Sequence, residues 1–297
     1  MITKPFIQSI PSFSSALLKV DTLRLDTIHP VVSGNKWYKL NYYIKDALQH
    51  NKTFIASFGG PYSNHLVALA FAAKYHGLTS IGYIRANNGE PITPMMQEAM
   101  NYGMQLQFLG RTNFQEQKNI ILQNRSSPNY FIYEGGYGKL GAKGAATIMK
   151  ELNSLIEITQ IKYDAIICAV GTGTMISGII NASEDGQQII GIPVLKNEDS
   201  IPTEIKNLLN TPFKPFTILP NFHGGGYAKT TKAQLNFMNQ FWEEEKIPTD
   251  IVYTGKLFWA VKQLLNANYF SQGKRLLIIH SGGLQGNRSL AKGVLDF

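Results

Sequence analysis

Residues 165–182 read AIICAVGTGTMISGIINA, a stretch without a single charged side chain. Its length reaches the lower limit of a membrane span, about 17–18 residues, but Gly171, Thr172, Gly173 and Thr174 interrupt it at the centre. A β-branched run, a glycine turn and a helical period read as strand, turn and helix. Ligands of α/β folds sit outside the carboxyl ends of strands. N–H groups of Gly171 to Thr174, with the two threonine hydroxyls, suit a phosphate. The glycine spacing also approaches the dinucleotide fingerprint, which needs an acid after the next strand for the ribose. That strand ends IGIPVLK, with no acid before Glu198, so a monophosphate fits better than NAD. A purely structural turn is the plainer alternative.

The same unit recurs on both sides. TFIASF (53–58) precedes GGPYSN and a helical period at Leu66, Leu69, Ala70 and Ala73, and SIGYIR (80–85) precedes Thr93–Pro94 and a helix beginning at Met95. QLQFL (105–109) leads to a polar helix near 113–124, then NYFIYE (129–134). A second series has a helix from Ala142 to Ile156, YDAIICAV, a helix from Met175, QQIIGIPVL, helices near 202–209 and 230–245, and the strand RLLIIH (275–280). Alternation at this pace implies parallel β-α-β units. Two series imply an α/β chain of two lobes, each a mostly parallel sheet flanked by helices, with 1–45 and 136–297 forming a large domain and 46–135 a small one.

The 297 residues are 44% apolar and 16% charged, enough for a sizeable core. The net charge of +8 is scattered, without the basic stripe of a nucleic-acid face, and points to small anionic ligands. The lone Cys168 sits in an apolar run and forms no internal disulfide, which suits a reducing compartment. Pro5 and Pro11 break up the N-terminal stretch, so no signal peptide is expected. The expectation is a cytoplasmic protein with no membrane and no nucleic-acid partner, and no metal ligands stand out.

Four further segments carry chemistry. In SGNKWYKLNYYIKDAL (33–48), Trp37, Leu40, Ile44, Ala47 and Leu48 form a helical stripe and put Lys36 at the helix start. The positive end of the macrodipole disfavours an ammonium there and favours the neutral amine that a Schiff-base lysine needs. In SFGGPYSNH (57–65), Ser63 and Asn64 lie at a helix N-terminus, an anion site or a plain N-cap. DIVYTGKLFWAV (250–261) puts Tyr253 and Thr254 before a glycine and a new helix. LLIIHSGG (276–283) puts His280 and Ser281 at a strand end, where a structural histidine is the commoner role.

Taken together and in this order, SGNKWYKL, SFGGPYSNH, EGG (134–136), LGAKGAA, GTGTMISG, VYTGK and IHSGG resemble the fold-type II pyridoxal-phosphate enzymes, specifically the family of 1-aminocyclopropane-1-carboxylate deaminase and D-cysteine desulfhydrase. The resemblance covers nearly the whole chain. It implies a tryptophan synthase β-like fold, pyridoxal 5'-phosphate as cofactor, a small amino-acid substrate and a homodimer. Lys36 resembles the lysine that carries the cofactor, Asn64 the asparagine on its phenolic oxygen, and Ser63 the serine on the substrate carboxylate. Gly171, Thr172, Gly173 and Thr174 look like the phosphate cup, with Lys39 an additional contact. Tyr253 resembles the phenol against the ring and Tyr227, in FHGGGYAK (222–229), a second active-site tyrosine.

Deaminases of that family carry a glutamate after the ring-facing tyrosine, where this chain has Thr254. Ser281, or else Thr254, is the expected partner of the ring nitrogen, an uncharged arrangement that favours desulfhydrase-like β-elimination over deamination of the cyclopropane. Tyr62 replaces a common glutamine, and Trp37 and Tyr38 are bulky, so a narrowed pocket mouth is expected. An NAD-dependent oxidoreductase and a non-catalytic cofactor-binding protein are the alternatives from other classes.

Overall fold

The structure, a computed structural model, describes residues 3–124, 129–196, 198–211 and 214–297. Its elements run β1 (Phe6–Ser9), β2 (Lys19–Arg24), α1 (Asn35–Gln49), β3 (Phe54–Gly59), α2 (Asn64–Tyr75), β4 (Thr79–Arg85), α3 (Pro94–Asn101), β5 (Gln105–Leu109), α4 (Phe114–Gln123) and β6 (Asn129–Ile132). They continue with α5 (Lys139–Thr159), β7 (Ala165–Val170), α6 (Thr174–Ala182), β8 (Gln188–Pro193), α7 (Ile201–Lys206), β9 (Thr217–Ile218), α8 (Lys232–Glu245), α9 (Thr254–Asn266) and β10 (Arg275–His280).

Two sheets result. The larger has the order β1-β2-β10-β7-β8-β9 and the smaller β5-β4-β3-β6. Every pairing is parallel except β1 with β2. The α/β class and the two mostly parallel sheets are as the sequence predicts.

The uncharged run of β7 follows from burial on both faces, the usual fate of parallel strands. Ile166, Cys168 and Val170 face α5 and α6, while Ala165, Ile167 and Ala169 face α8 and α9 through Phe241 and Phe258. The smaller sheet is covered likewise, by α2 and α3 over Ile55, Ile84 and Ile132 on one side and by Phe114 of α4 on the other. Among the described residues no helix is long and apolar enough to cross a membrane.

Several boundaries differ from expectation. The strand over 129–134 ends at Ile132, because Gly135, at φ 66°, turns the chain at Glu134–Gly136. On α1 the buried set is Tyr38, Leu40, Tyr43, Ile44 and Ala47, whereas Leu48 is 42% exposed. The tyrosines are buried because their hydroxyls find partners: Tyr38 donates to Glu151 and Tyr43 to the Tyr137 carbonyl, both at 2.7 Å. β2 has no counterpart in the expected element list, yet it pairs with β10 along Lys19–Arg24 and fills the sheet interior.

α5 is packed unusually close to its neighbours. A Cβ on Gly144 would collide with the Tyr38 carbonyl of α1, and one on Gly178 of α6 would lie 2.7 Å from both the Ala145 Cβ and the Ala146 N. Alanine normally gains about 1 kcal/mol over glycine within a helix. Here overlap with backbone outweighs that gain, so Gly178→Ala is expected to destabilise by about 1–3 kcal/mol. The urea midpoint checks this; an unchanged or raised midpoint would show that the helices can separate freely.

Candidate active site

The carboxyl ends of β3, β7 and β10 and the start of α1 converge on one cleft. Its widest part is about 280 Å³ and is lined by Lys36, Ser63, Asn64, Gly171, Thr172, Tyr227 and Tyr253, with His65, Arg85 and Glu134. Narrower extensions reach Lys39, Gly173 and Thr174 on one side and Ser281 and Gln285 on the other. The structure therefore brings together every site residue expected from sequence except Thr254.

Lys36 is the second residue of α1. Its Nζ donates to Asn35 Oδ1 at 2.9 Å and lies 5.8 Å from the centre of the Tyr253 ring. Burial lowers its pKa to about 8, against the opposing charge of Asp250. Desolvation thus adds to the helix dipole in favouring the neutral amine. Trp37 and Tyr38 do not line the cleft, which corrects the expectation of a mouth narrowed by them. Each residue advances about 100° around a helix, so Lys36 and Lys39, with Asn35 at the helix start, meet the cleft while the two residues between the lysines do not. Trp37 stacks near His29 instead, and Tyr38 enters the large core.

The turn before α6 forms the floor of one extension. Gly173 has φ 78°, and the Thr172 and Thr174 hydroxyls lie 3.0 Å apart. First-turn N–H groups of a helix have no intrahelical acceptor. Lys39, 4% exposed, faces them, its Nζ donating to the Gly135 carbonyl at 3.3 Å. Burial and the neighbouring Lys36 push its pKa well down. An anion in this hollow would meet the free N–H groups of a helix N-terminus and two amines that its charge would help to protonate.

On the facing lobe Ser63 caps α2, its Oγ accepting from Leu66 N at 3.3 Å, which leaves its own O–H free to donate. Asn64 Nδ2 donates to the Gly283 carbonyl at 3.1 Å, while its Oδ1 is buried without a protein partner among the described residues. His65 went unnoticed in the sequence. Its Nε2 lies 2.9 Å from Ser57 Oγ, whose hydroxyl is already donated to the Ile132 carbonyl. The imidazole must therefore carry its hydrogen on Nε2. Burial and the two lysines press its pKa down to about 3, so it stays neutral.

Thr254 is the exception. Its hydroxyl donates to Asp250 Oδ1 at 2.7 Å and accepts from Asp250 N at 2.8 Å, so it is committed away from the cleft. Ser281 lines both narrow extensions. Asp250 itself was missed. It is fully buried and also accepts from the N–H groups of Val252, Tyr253 and Thr254, capping α9 and holding Tyr253 in place. Burial raises its pKa against those bonds. An acid four residues before the helix start within VYTGK was a legible capping signal.

The hollow before α6 with its free N–H groups, the desolvated Lys36 and the unpartnered Asn64 amide oxygen are groups that suit pyridoxal phosphate. Residues 7–282 match the pyridoxal-phosphate dependent enzyme family, and the chain belongs to it. Among curated proteins it is 28% identical over 89% of its length to a Thermotoga maritima protein named "Putative 1-aminocyclopropane-1-carboxylate deaminase", covering 88% of that protein. It is 25% identical over 86% of its length to the bifunctional D-cysteine desulfhydrase/1-aminocyclopropane-1-carboxylate deaminase of Arabidopsis thaliana, covering 70% of it. A solved structure described as an ACC deaminase homologue superposes with TM-score 0.82 at 24% identity, over 96% of this chain and 91% of that one. The family suggested by the motifs is thus the one found. The protein is a pyridoxal-phosphate-dependent enzyme.

His65 sets an acid limit. Its folded pKa lies below the ordinary 6.5, so between about pH 6.5 and 3 the unfolded chain binds a proton that the folded one refuses. Its contribution is complete above pH 6.5 and declines on acidification. His65→Gln is expected to remove about 1–2 kcal/mol of the stability lost between pH 7 and 5. Urea unfolding at the two pH values checks it, and parallel losses in both proteins would place the acid sensitivity elsewhere.

Proposed function

We propose that the protein catalyses β-elimination on a small amino acid, with D-cysteine the first substrate to test, giving pyruvate, ammonia and sulfide. The observation that carries this reading is the lining around Ser281, which holds no carboxylate among the described residues. Of the described residues that line the cleft, Glu134 is the one carboxylate, and its charge is taken by Lys118 at 2.9 Å. The Thr254 hydroxyl is turned to Asp250. An alcohol partner offers a hydrogen bond without the charge that would stabilise a protonated ring nitrogen.

The residues fit the cofactor. Lys36 would hold it covalently, the Gly171–Thr174 turn and Lys39 its phosphate, Asn64 its phenolic oxygen and Ser281 its ring nitrogen, with the Tyr253 phenol against the ring. When bound, pyridoxal phosphate supplies the electron sink that acidifies the substrate's α-C–H bond. The chain's own groups do the rest. Ser63 and the free N–H groups of α2 take the substrate carboxylate. Lys36, with its pKa near 8, moves the α-proton at close to neutral pH. Tyr227 is 45% exposed, but lost hydration at its hydroxyl raises the pKa to about 12, so it stays a phenol and can donate to a departing sulfur in exchange for its 3.4 Å bond to the Tyr62 carbonyl. The net reaction consumes one water per D-cysteine.

A second reading, cleavage of 1-aminocyclopropane-1-carboxylate to 2-oxobutyrate and ammonia, is supported by the names of the Thermotoga and Arabidopsis relatives. Assays of pyruvate, sulfide and 2-oxobutyrate with D-cysteine, L-cysteine, β-chloro-D-alanine and the cyclopropane acid separate the two. Sulfide and pyruvate from D-cysteine are expected; fast 2-oxobutyrate formation without β-elimination favours the second reading. Lys36→Ala is expected to abolish turnover and the borohydride-fixed cofactor adduct on its peptide, read by mass spectrometry. Persistence of that adduct elsewhere in the chain names another lysine.

Ser281→Ala is expected to weaken cofactor binding by about 1–3 kcal/mol, the range for a buried acceptor left unsatisfied. Equilibrium titration of the cofactor-free variant measures it, and unchanged affinity means the hydroxyl does not reach the ring.

A further inference from the structure

Lys256 has no part in the chemistry above, yet its placement is expensive. It lies in the first turn of α9 and is 2% exposed, whereas long cationic side chains ordinarily carry their charge out to water. Among the described residues it makes no ion pair; its Nζ donates to the Gly226 carbonyl at 2.6 Å and the Val194 carbonyl at 3.3 Å. Burial pulls its pKa to about 8, with Asp250 acting against the fall. An ammonium held by two carbonyls in place of a carboxylate stabilises whatever bears those carbonyls.

What it holds is a weak piece of backbone. Gly224, Gly225 and Gly226 all have positive φ, at 60°, 95° and 114°. Three successive residues without Cβ leave the chain with the least conformational preference of any tripeptide. Bonds at the turn include Gly225 N to His223 Nδ1 at 3.0 Å, Gly226 N to the His223 carbonyl at 3.1 Å, and Lys229 N to the Gly226 carbonyl at 3.1 Å. The next residue is Tyr227, which lines the cleft and donates its hydroxyl to the Tyr62 carbonyl at 3.4 Å. Tyr62 precedes Ser63 on the facing lobe, so the tyrosine spans the cleft from one lobe to the other.

We propose that Lys256 is a positioning residue that clamps the triple-glycine turn through the Gly226 carbonyl, and so fixes Tyr227 across the cleft as the element that closes the chamber over a substrate. The proposal rests on the reading of this cleft as the reaction chamber. Lys256 touches no reacting atom and acts through Tyr227. A carbonyl clamp is suited to the task because a glycine turn presents no side chain to grip. The ammonium, donating in several directions, ties the turn to the end of β8, which is rigid.

Two measurements test the clamp. Amide hydrogen exchange over residues 222–229, in protein with and without pyridoxal phosphate, needs no substrate. Lys256→Met is expected to speed exchange there about tenfold or more, while β8 and β10 keep their protection and Lys256→Arg recovers part of it. Unchanged exchange in the turn, or equal acceleration throughout the chain, overturns the proposal. If the methionine variant does not fold, Lys256→Gln, which keeps a donor of shorter reach, carries the same comparison.

The second measurement is a double-mutant cycle on turnover of D-cysteine or 1-aminocyclopropane-1-carboxylate, whichever the enzyme accepts. Lys256→Met is expected to raise KM about tenfold with a smaller fall in kcat, and to add nothing to Tyr227→Ala. Additive losses mean that Lys256 acts independently of Tyr227 and end the argument. The exchange result stands even if neither compound is turned over, so failure of the clamp and failure of the assigned reaction are told apart.

Discussion

The active cleft depends on one close approach of backbone. Gly34, at φ 63°, lies so near the end of β10 that a Cβ there would collide with the Ser281 carbonyl. That carbonyl accepts Asn35 N at 3.1 Å, and Gly34 N donates to the Leu25 carbonyl at 2.8 Å. The last residues of two adjacent parallel strands thereby fix the first turn of α1, and with it Lys36. Any side chain at position 34 would push the helix start away from the strand ends and the lysine away from Tyr253 and Ser281.

Around that anchor the cleft is organised by unequal desolvation. Lys36 and Lys39 lie on one face of α1, the first half-buried and the second buried, neither ion-paired among the described residues, and lost hydration lowers the pKa of both. His65 lies beside them and stays neutral because both amines and its burial oppose a proton. The compensating carboxylate, Asp250, is set behind the wall, spending its two oxygens on the first turn of α9. The same residue thus orients Tyr253, moderates the pKa of Lys36 and occupies the Thr254 hydroxyl. A second buried ion cluster supports the Ser281 side. Asp26 holds Arg24 in a two-bond pair at 2.7 and 2.8 Å and approaches His280 Nδ1 at 3.2 Å, immediately before Ser281.

Small residues let these parts meet. α5 carries Gly141 and Gly144 where it crosses the Gly136 and Tyr38 carbonyls, and α6 carries Gly178 where it crosses α5. The Gly171–Thr174 turn at the start of α6 and the lysines of α1 are therefore held against one helix at backbone distance. Little slack remains between the anion hollow and the amine.

The sequence alone determined the parallel α/β class and the strand-turn-helix units, and it picked out most of the residues named here that line the cleft, because each is a local signal. A turn that must expose N–H groups needs glycine, a buried parallel strand needs an uncharged run, and Lys36 and Lys39 share a face through helical period alone. Only the tertiary structure decided the rest. β2 carries Asp21 and Arg24 among its apolar residues and reads as polar; it is interior because Arg275 and Tyr163 meet Asp21 and because Asp26 meets Arg24. Thr254 and Ser281 are equivalent hydroxyls on paper, and what separates them is Asp250, four residues away and folded back on Thr254. Trp37 and Tyr38 adjoin Lys36 in sequence but lie off the cleft face of its helix. Partners across the fold, which no local pattern encodes, decide which of several similar side chains faces the cleft.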